Sequence, residues 1–386
     1  MMPRILRADQ VFDGTTLHRD AAVSLTCAGR IEALHPRGSA LPDPAEVTDL
    51  GNGILAPGLV DLQVNGGGGH MVGAGTNAAQ LAEICAVHAR LGACAILPTL
   101  ITDRAEVTRE VIAAARSAAR DAAPGFAGLH LEGPHLDPAR RGAHDARHIR
   151  PMTRRDVELL CEAAQTLPAL MVTLAPEAAS PEQVAELAAA GVIVSLGHTG
   201  CSAEAAHAAC RAGARGVTHL YNAMGPMANR APGLVGAALT SPLVVGIIAD
   251  GVHVARECLL VALQMKAPDQ LFLVSDAMAV AGTDLTEFTL GGRVIRRAQG
   301  RLTLADGTLA GADISLPQAL AHLTALGVPT ARALAMATRI PADLIGAQDR
   351  GRIAPGARGD LVLLAPNMRL SKVWLNGAPI EPTVTA

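Results

Sequence analysis

Val192-Ile193-Val194-Ser195-Leu196-Gly197-His198-Thr199 is an almost continuous apolar run that stops on a glycine and a histidine. An alanine-rich stretch, Ala203–Ala212, follows it. A second such run, Gly216-Val217-Thr218-His219-Leu220, then ends among the polar groups of Tyr221 and Asn222. Short apolar runs without alternation suit strands covered on both faces. Alanine is the strongest helix former, so the segment between them suits a helix. The unit reads strand, helix, strand, with a polar group at the end of each strand.

The same unit repeats outward in both directions. Strand-like runs are expected at Ile54–Asn65, Cys94–Leu100, Phe126–Leu131, Leu170–Leu174, Val192–Leu196, Gly216–Leu220, Leu243–Ala249 and Leu271–Ser275. Helices are expected at Asn77–Leu91, Ala105–Ala122, Arg154–Gln165, Pro181–Ala190, Ala203–Ala212 and Ala255–Lys266, with a last one at Leu316–Leu326 after an insertion. Eight strands with intervening helices predict an α/β fold, a (β/α)8 TIM-like barrel. A doubly wound open sheet is the alternative, but no GxGxxG opens the first unit. The chain ends differ in pattern. Ile5–Phe12, Ala21–Thr26 and Arg30–Leu34 at one end, and Asp360–Leu364 and Lys372–Leu375 at the other, are short strand-like runs broken by Gly, Asp and Pro. They predict a small sheet-rich domain formed by both termini, residues 1–53 with 346–386, beside a barrel over 54–345.

Composition narrows the chemistry. The 386 residues carry a net charge of −3 and only six aromatic side chains. That composition argues against an extended basic surface and a base-stacking platform, so no nucleic-acid partner is expected. Only two of the 32 basic residues are lysines, Lys266 and Lys372, and neither is placed for a Schiff base or for a carbamylated bridge between metals. The seven cysteines are scattered, with no CxxC pair, which suits free thiols in a reducing cytoplasm. Met1–Gln10 lacks the apolar core of a signal peptide, and no run approaches the ~20 residues of a membrane span.

The polar residues fall where the strands stop. Strand one ends with Gln63 and Asn65, strand three with His130-Leu131-Glu132-Gly133-Pro134, and strand five with Gly197-His198-Thr199. Strand six ends with His219-Leu220-Tyr221-Asn222, strand seven runs into Asp250-Gly251-Val252-His253, and strand eight ends with Ser275-Asp276-Ala277. In a barrel these ends converge on one mouth. Glu132, His198 and His219 could then offer a divalent ion one carboxylate and two imidazoles, a set that suits zinc. Asp276 could exchange a proton with a water and a leaving group. The plainer alternative is three independent strand-end residues with ordinary hydrogen bonds, and for Asp276 a cap on the following turn. His130 is read as a support for Glu132, and Glu177 as a carboxylate at a helix start. Gly66–Gly69 could cradle a phosphate or form a loop.

These segments together resemble the N-acetylglucosamine-6-phosphate deacetylases of the amidohydrolase superfamily. Pro57–Gly66, His130–Pro134, Leu196–Thr199, His219–Met224, Ala249–His253 and Val274–Met278 carry the resemblance across nearly the whole chain. It implies metal-dependent hydrolysis of an acetamide on an amino-sugar phosphate, in amino-sugar recycling. It also implies a barrel joined to a small β-sandwich built from both termini, and a homodimer whose partner subunit contributes to the site. By the resemblance Glu132, His198 and His219 hold the metal, Asp276 is the general base and acid, and His144 polarises the acetyl carbonyl. Asn222, Ala223, Arg230 and His253 then engage the sugar phosphate. Many amidohydrolases end strand one in His-x-His and bind two metals. Gln63 and Asn65 stand at those positions here, and amides are poor zinc ligands beside imidazole. One divalent ion per chain is therefore expected, zinc first, with Fe²⁺, Mn²⁺ or Co²⁺ as alternatives. Two other readings stay open: another amidohydrolase, such as an N-acyl-amino-acid deacylase, and a non-catalytic barrel that binds sugar phosphates.

Overall fold

The computed structural model describes residues 4–43 and 45–383. Met1–Pro3 of the stretch read for a signal peptide, Pro44, and Val384–Ala386 of the expected C-terminal domain lie outside the described residues. Eight parallel strands form the barrel in chain order: Leu59–Val64, Ala93–Ile101, Leu129–Glu132, Leu170–Leu174, Ile193–Leu196, Gly216–Val217, Val244–Ile247 and Leu271–Leu273. Most residues in these strands are buried, which is why their sequences run apolar without alternation. Helices with alanine-rich or amphipathic inner faces cover the outside. Several start on side-chain caps: Asn77 accepts from the Gln80 amide, and Ser180 with Gln183 and Ser315 with Gln318 form reciprocal boxes.

The last strand returns to the first. Val64 bridges Ala277, and Asn65 N–H donates to the Ala277 carbonyl at 2.8 Å. Just below, the buried Asp61 carboxylate accepts from the Ser275 amide at 3.2 Å and from the Gln63 amide at 3.2 Å. A side chain thus supplies the acceptor where the ladder between strands eight and one is incomplete. Burial pushes the Asp61 carboxyl up to about 7.

Both termini build one mostly antiparallel eight-stranded sheet. Its path runs from Ala378–Ile380 through Leu370–Leu375, Leu361–Leu364, Ile54–Pro57, Arg4–Phe12 and Leu17–Leu25 to Ile31–His35, with Glu46–Asp49 pairing beside Arg4–Phe12. Val11, Val23, Leu55, Leu361 and Trp374 belong to its own apolar cluster. The run Ile54–Asn65, read as one barrel strand, is two strands with an elbow at Gly58. Ile54–Pro57 pairs with Arg4–Phe12 and Leu361–Leu364 in the terminal sheet, and only Leu59–Val64 enters the barrel. A Cβ at Gly58 would stand 2.5 Å from the Cys94 Cβ, so the elbow needs glycine.

The insertion after strand eight is a four-stranded antiparallel sheet, Glu287–Leu290, Arg293–Ala298, Arg301–Thr303 and Leu309–Ala312. Three helices beyond the expected set appear, Gly233–Thr240, Thr330–Met336 and Arg339–Leu344. Lys266, expected inside the helix, stands just past its end at Met265, and its buried ammonium donates to the Ala238 and Ser241 carbonyls at 3.0 and 2.7 Å. Among the described residues no helix is long and apolar enough to cross a membrane.

Candidate active site

Strand ends deliver the polar residues, and the backbone turns sharply at them. His198, His219 and Asp276 have φ of 49°, 29° and 50°, a left-handed conformation that side chains rarely adopt. Such strain persists where packing holds it, and it clusters at functional sites. Here it swings three side chains from the ends of extended strands into one mouth.

Glu132 Oε1 is the centre of the cluster. His219 Nε2 lies 2.9 Å from it and His198 Nε2 lies 3.1 Å from it, with the two Nε2 atoms 3.2 Å apart. All three side chains are buried. His198 Nδ1–H donates to the Arg140 carbonyl at 2.9 Å, so its Nε2 presents a lone pair to the cluster. A lone pair facing a carboxylate oxygen at that distance is repulsive unless a proton or a cation stands between them. In a tetrahedral zinc site with bonds of ~2.0–2.1 Å, neighbouring ligand atoms are ~3.3 Å apart. The observed spacings are close to that edge, and a carboxylate with two imidazoles is a suitable donor set. These three residues form the described group able to hold a metal ion. Burial alone would raise the Glu132 carboxyl, but the adjoining His198 and His219 imidazoles hold it well below the usual range. Burial opposes charge on His219, yet Glu132 raises its pKa overall.

Gln63 and Asn65 face this cluster as nitrogen donors. Gln63 Nε2 bridges Glu132 Oε1 and Asp276 Oδ1 at 3.1 Å each, and Asn65 Nδ2 donates to Asp276 Oδ1 at 2.6 Å. Both amides are thus engaged as donors to the carboxylates of the cluster. Burial, and then the nearby Glu132 charge, pushes the Asp276 carboxyl up to about 6.

His144 comes from the loop after strand three and completes the cluster. Its ring centroid is 4.4 Å from that of His198, and its Nε2 lies 3.8 Å from Glu132 Oε2. Burial, then the neighbouring His198, lowers its pKa to about 3, which keeps the ring neutral. His253 Nδ1 lies 2.6 Å from Asp250 Oδ2, and Asp250 Oδ1 accepts from the Val252 and His253 amides. Asn222 and Ala223 are half-buried beside His219, Ala223 with φ 51°. Arg230 is different. It sits on an exposed segment and bonds to no residue of the buried cluster among the described residues.

Two readings of the sequence are corrected. His130 makes no hydrogen bond to Glu132 among the described residues: its ring lies 2.7 Å from the Thr173 hydroxyl and 3.2 Å from that of Thr99. Thr173, Thr218 and Ser195 extend this buried chain of hydroxyls across the barrel floor. Glu177 caps no helix; it accepts from the Thr199 hydroxyl at 2.6 Å and the Gly200 amide at 3.0 Å, tying down the loop after His198. Thr102 was not foreseen. Its hydroxyl is 2.8 Å from His144 Nδ1, and a lone threonine after an apolar strand gives no signal in the sequence.

Residues 54–380 match the amidohydrolase family model, and the chain belongs to that family. More particularly, it is 41% identical over 333 residues to an N-acetylgalactosamine-6-phosphate deacetylase from a Shewanella species, covering 85% of this chain and 83% of the relative. It is 33% identical to the N-acetylglucosamine-6-phosphate deacetylase of Haemophilus influenzae, covering 90% and 91% of the two chains. Among solved structures, a mutant N-acetyl-D-glucosamine-6-phosphate deacetylase from Mycobacterium smegmatis, in complex with N-acetyl-D-glucosamine-6-phosphate, superposes with a TM-score of 0.90. It is 31% identical and covers all of both chains.

Proposed function

We propose that this chain hydrolyses the acetamide of N-acetyl-D-glucosamine 6-phosphate, releasing acetate and D-glucosamine 6-phosphate. The observation that carries the reading is the buried Glu132, His198 and His219 cluster with Asp276 held beside it by two amide donors. We assign Glu132, His198 and His219 as ligands of one divalent ion per chain, zinc before Fe²⁺, Mn²⁺ or Co²⁺. When bound, such an ion acidifies an attacking water and polarises a carbonyl.

The chain's own residues do the rest. Asp276 takes the proton of the attacking water as its oxygen bonds to the acyl carbon. A carboxyl raised by burial is the stronger base for that proton, which it then delivers to the nitrogen as the C–N bond breaks. The N–H of His144, supplied at Nε2, faces the oxygen where negative charge develops, an interaction that can contribute ~3 kcal/mol. Asn222, Ala223 and His253 line the sugar side, and Arg230 offers a forked contact to the 6-phosphate. The enzyme works in the cytoplasm as a homodimer, with a partner subunit completing the phosphate side. Exposed Met227, Val261 and Met265, at 57%, 44% and 52% exposure, support that pairing, since they line an apolar groove near Arg230.

One second reading has a specific observation behind it. The 41% identical relative is named for the galactosamine epimer, so the substrate could instead carry that configuration at C4. An acetate-release assay separates the possibilities, using both N-acetylhexosamine 6-phosphates, both free sugars and an N-acetylated amino acid. Release from the glucosamine ester, well above the free sugar, is expected. Preference for the galactosamine ester would move the assignment to that epimer. Release only from the amino acid, or binding without release, would refute the deacetylase reading.

A further inference from the structure

The insertion sheet packs against both strand-end segments that hold His144. Its apolar cluster, centred on Leu290, Ile295 and Leu302, includes Ile101 and Ala143 at its edge. Ile101 ends strand two, pairs with Glu132 in register and is followed by Thr102; Ala143 is followed by His144. Arg293, on the sheet's second strand, donates from Nη2 to the Ala143 carbonyl. Among the described residues its side chain forms no ion pair and no other hydrogen bond, though its charge also acts on Asp306.

Thr102 sets the other side of the ring. Its backbone N–H donates to His144 Nδ1 at 3.3 Å, with its hydroxyl 2.8 Å from the same atom. An Nδ1 that accepts from an amide carries no proton, so the ring's proton sits on Nε2, the atom that faces Glu132. The threonine fits there because the adjacent Gly133 has no side chain: a Cβ on it would stand 2.2 Å from Thr102 Oγ1.

We propose that Arg293 is a positioning residue for the deacetylation: by holding the Ala143–His144 peptide against the insertion sheet, it keeps the His144 ring seated on Thr102 with Nε2–H aimed into the site. This rests on the role given above to His144 as the donor to the acyl oxygen. Loss of the Arg293 contact lets the loop shift. The ring then loses its amide partner at Nδ1, and with it the fixed tautomer. Misplacement of an oxyanion donor lowers turnover more than it weakens substrate binding.

The test is a double-mutant cycle on the metal-loaded enzyme with N-acetyl-D-glucosamine 6-phosphate. Arg293→Met, which keeps the aliphatic stem, should lower kcat about tenfold to a hundredfold with KM nearly unchanged. Arg293→Lys should restore part of the loss. In a His144→Asn background, Arg293→Met should cost almost nothing more. Thermal melts and metal content, near wild type in both Arg293 variants, exclude a folding defect; if Arg293→Met melts early, Arg293→Lys carries the cycle. Undiminished kcat in Arg293→Met with a strongly impaired His144→Asn would overturn the Arg293 proposal alone. Multiplying losses in the double variant would overturn it in favour of a general structural role. A rise in KM confined to the phosphorylated sugar would overturn it in favour of a phosphate contact. Near-normal turnover of His144→Asn would instead remove the role of His144 itself, and the proposal with it.

Discussion

Asp276→Asn separates proton transfer from everything else the residue does. In the wild type, Asp276 Oδ1 accepts from Asn65 at 2.6 Å and Gln63 at 3.1 Å. An asparagine oxygen can accept both, and the substitution removes a negative charge buried beside Glu132. The fold should therefore change in stability by about 1 kcal/mol or less, the net worth of a hydrogen bond. Metal content should hold, because Asp276 is not one of the three clustered donors. An amide cannot accept the proton, and general base catalysis contributes about 10²–10⁴-fold. The expected loss in kcat is of that size, about 3–5 kcal/mol in the barrier. The wild type should also show an acid limb in kcat/KM. A base must be deprotonated to act, so activity falls as pH drops through the Asp276 pKa. Burial and Glu132 raise that pKa to about 6, and a bound cation pulls it lower, so the limb lies at or below about 6. Acetate release measured across pH, with elemental analysis and a melt on each protein, is the assay. Turnover within a few-fold of wild type, with the acid limb intact, would refute Asp276 as the proton carrier.

Three further outcomes follow from named contacts. Gln63→Ala removes the N–H that bridges Glu132 and Asp276, and should weaken metal binding about tenfold to a hundredfold in chelator competition; unchanged affinity would show that the bridge does not orient Glu132. Arg230→Ala should raise KM at least tenfold for the 6-phosphate and leave the poor turnover of the free sugar unchanged, so equal losses on both would contradict a phosphate anchor. His88 donates to the Gly66 carbonyl at 2.9 Å, and burial lowers its pKa to about 4 from the usual ~6.5. Between those values the unfolded chain binds a proton that the folded one refuses, so stability falls as pH drops from about 6.5 to 4. That contribution amounts to about 3 kcal/mol, and His88→Gln should flatten the urea-denaturation profile over that window by about one proton; an unchanged slope would place the His88 proton elsewhere.

The barrel was legible because burial on both faces makes its strands continuous apolar runs, and because polar residues interrupt most of these runs where the strand stops. Gln63, Glu132, His198, His219 and Asp276 stand out for that reason. The elbow at Gly58 was hidden for the complementary reason. Ile54–Val64 stays buried on both sides of the turn, so composition does not change where the chain passes from one sheet to the other. The insertion sheet was unreadable because its strands are short and half-exposed, with arginines at positions 293, 296, 297 and 301. The Gly233–Thr240 helix starts on glycine behind Pro232, without a side-chain cap to announce it. Thr102, Glu177 and Asp61 act through hydrogen bonds to partners distant in sequence, and only the folded chain supplies those partners.

The most direct measurement is acetate release from N-acetyl-D-glucosamine 6-phosphate by chelator-stripped protein titrated with zinc. A single ion held by Glu132, His198 and His219, with Gln63 and Asn65 occupying the place of further ligands, predicts activity that rises linearly and levels off near one equivalent per chain. A plateau at two equivalents would contradict the single-ion site, and no acetate at any zinc concentration would contradict the deacetylase itself.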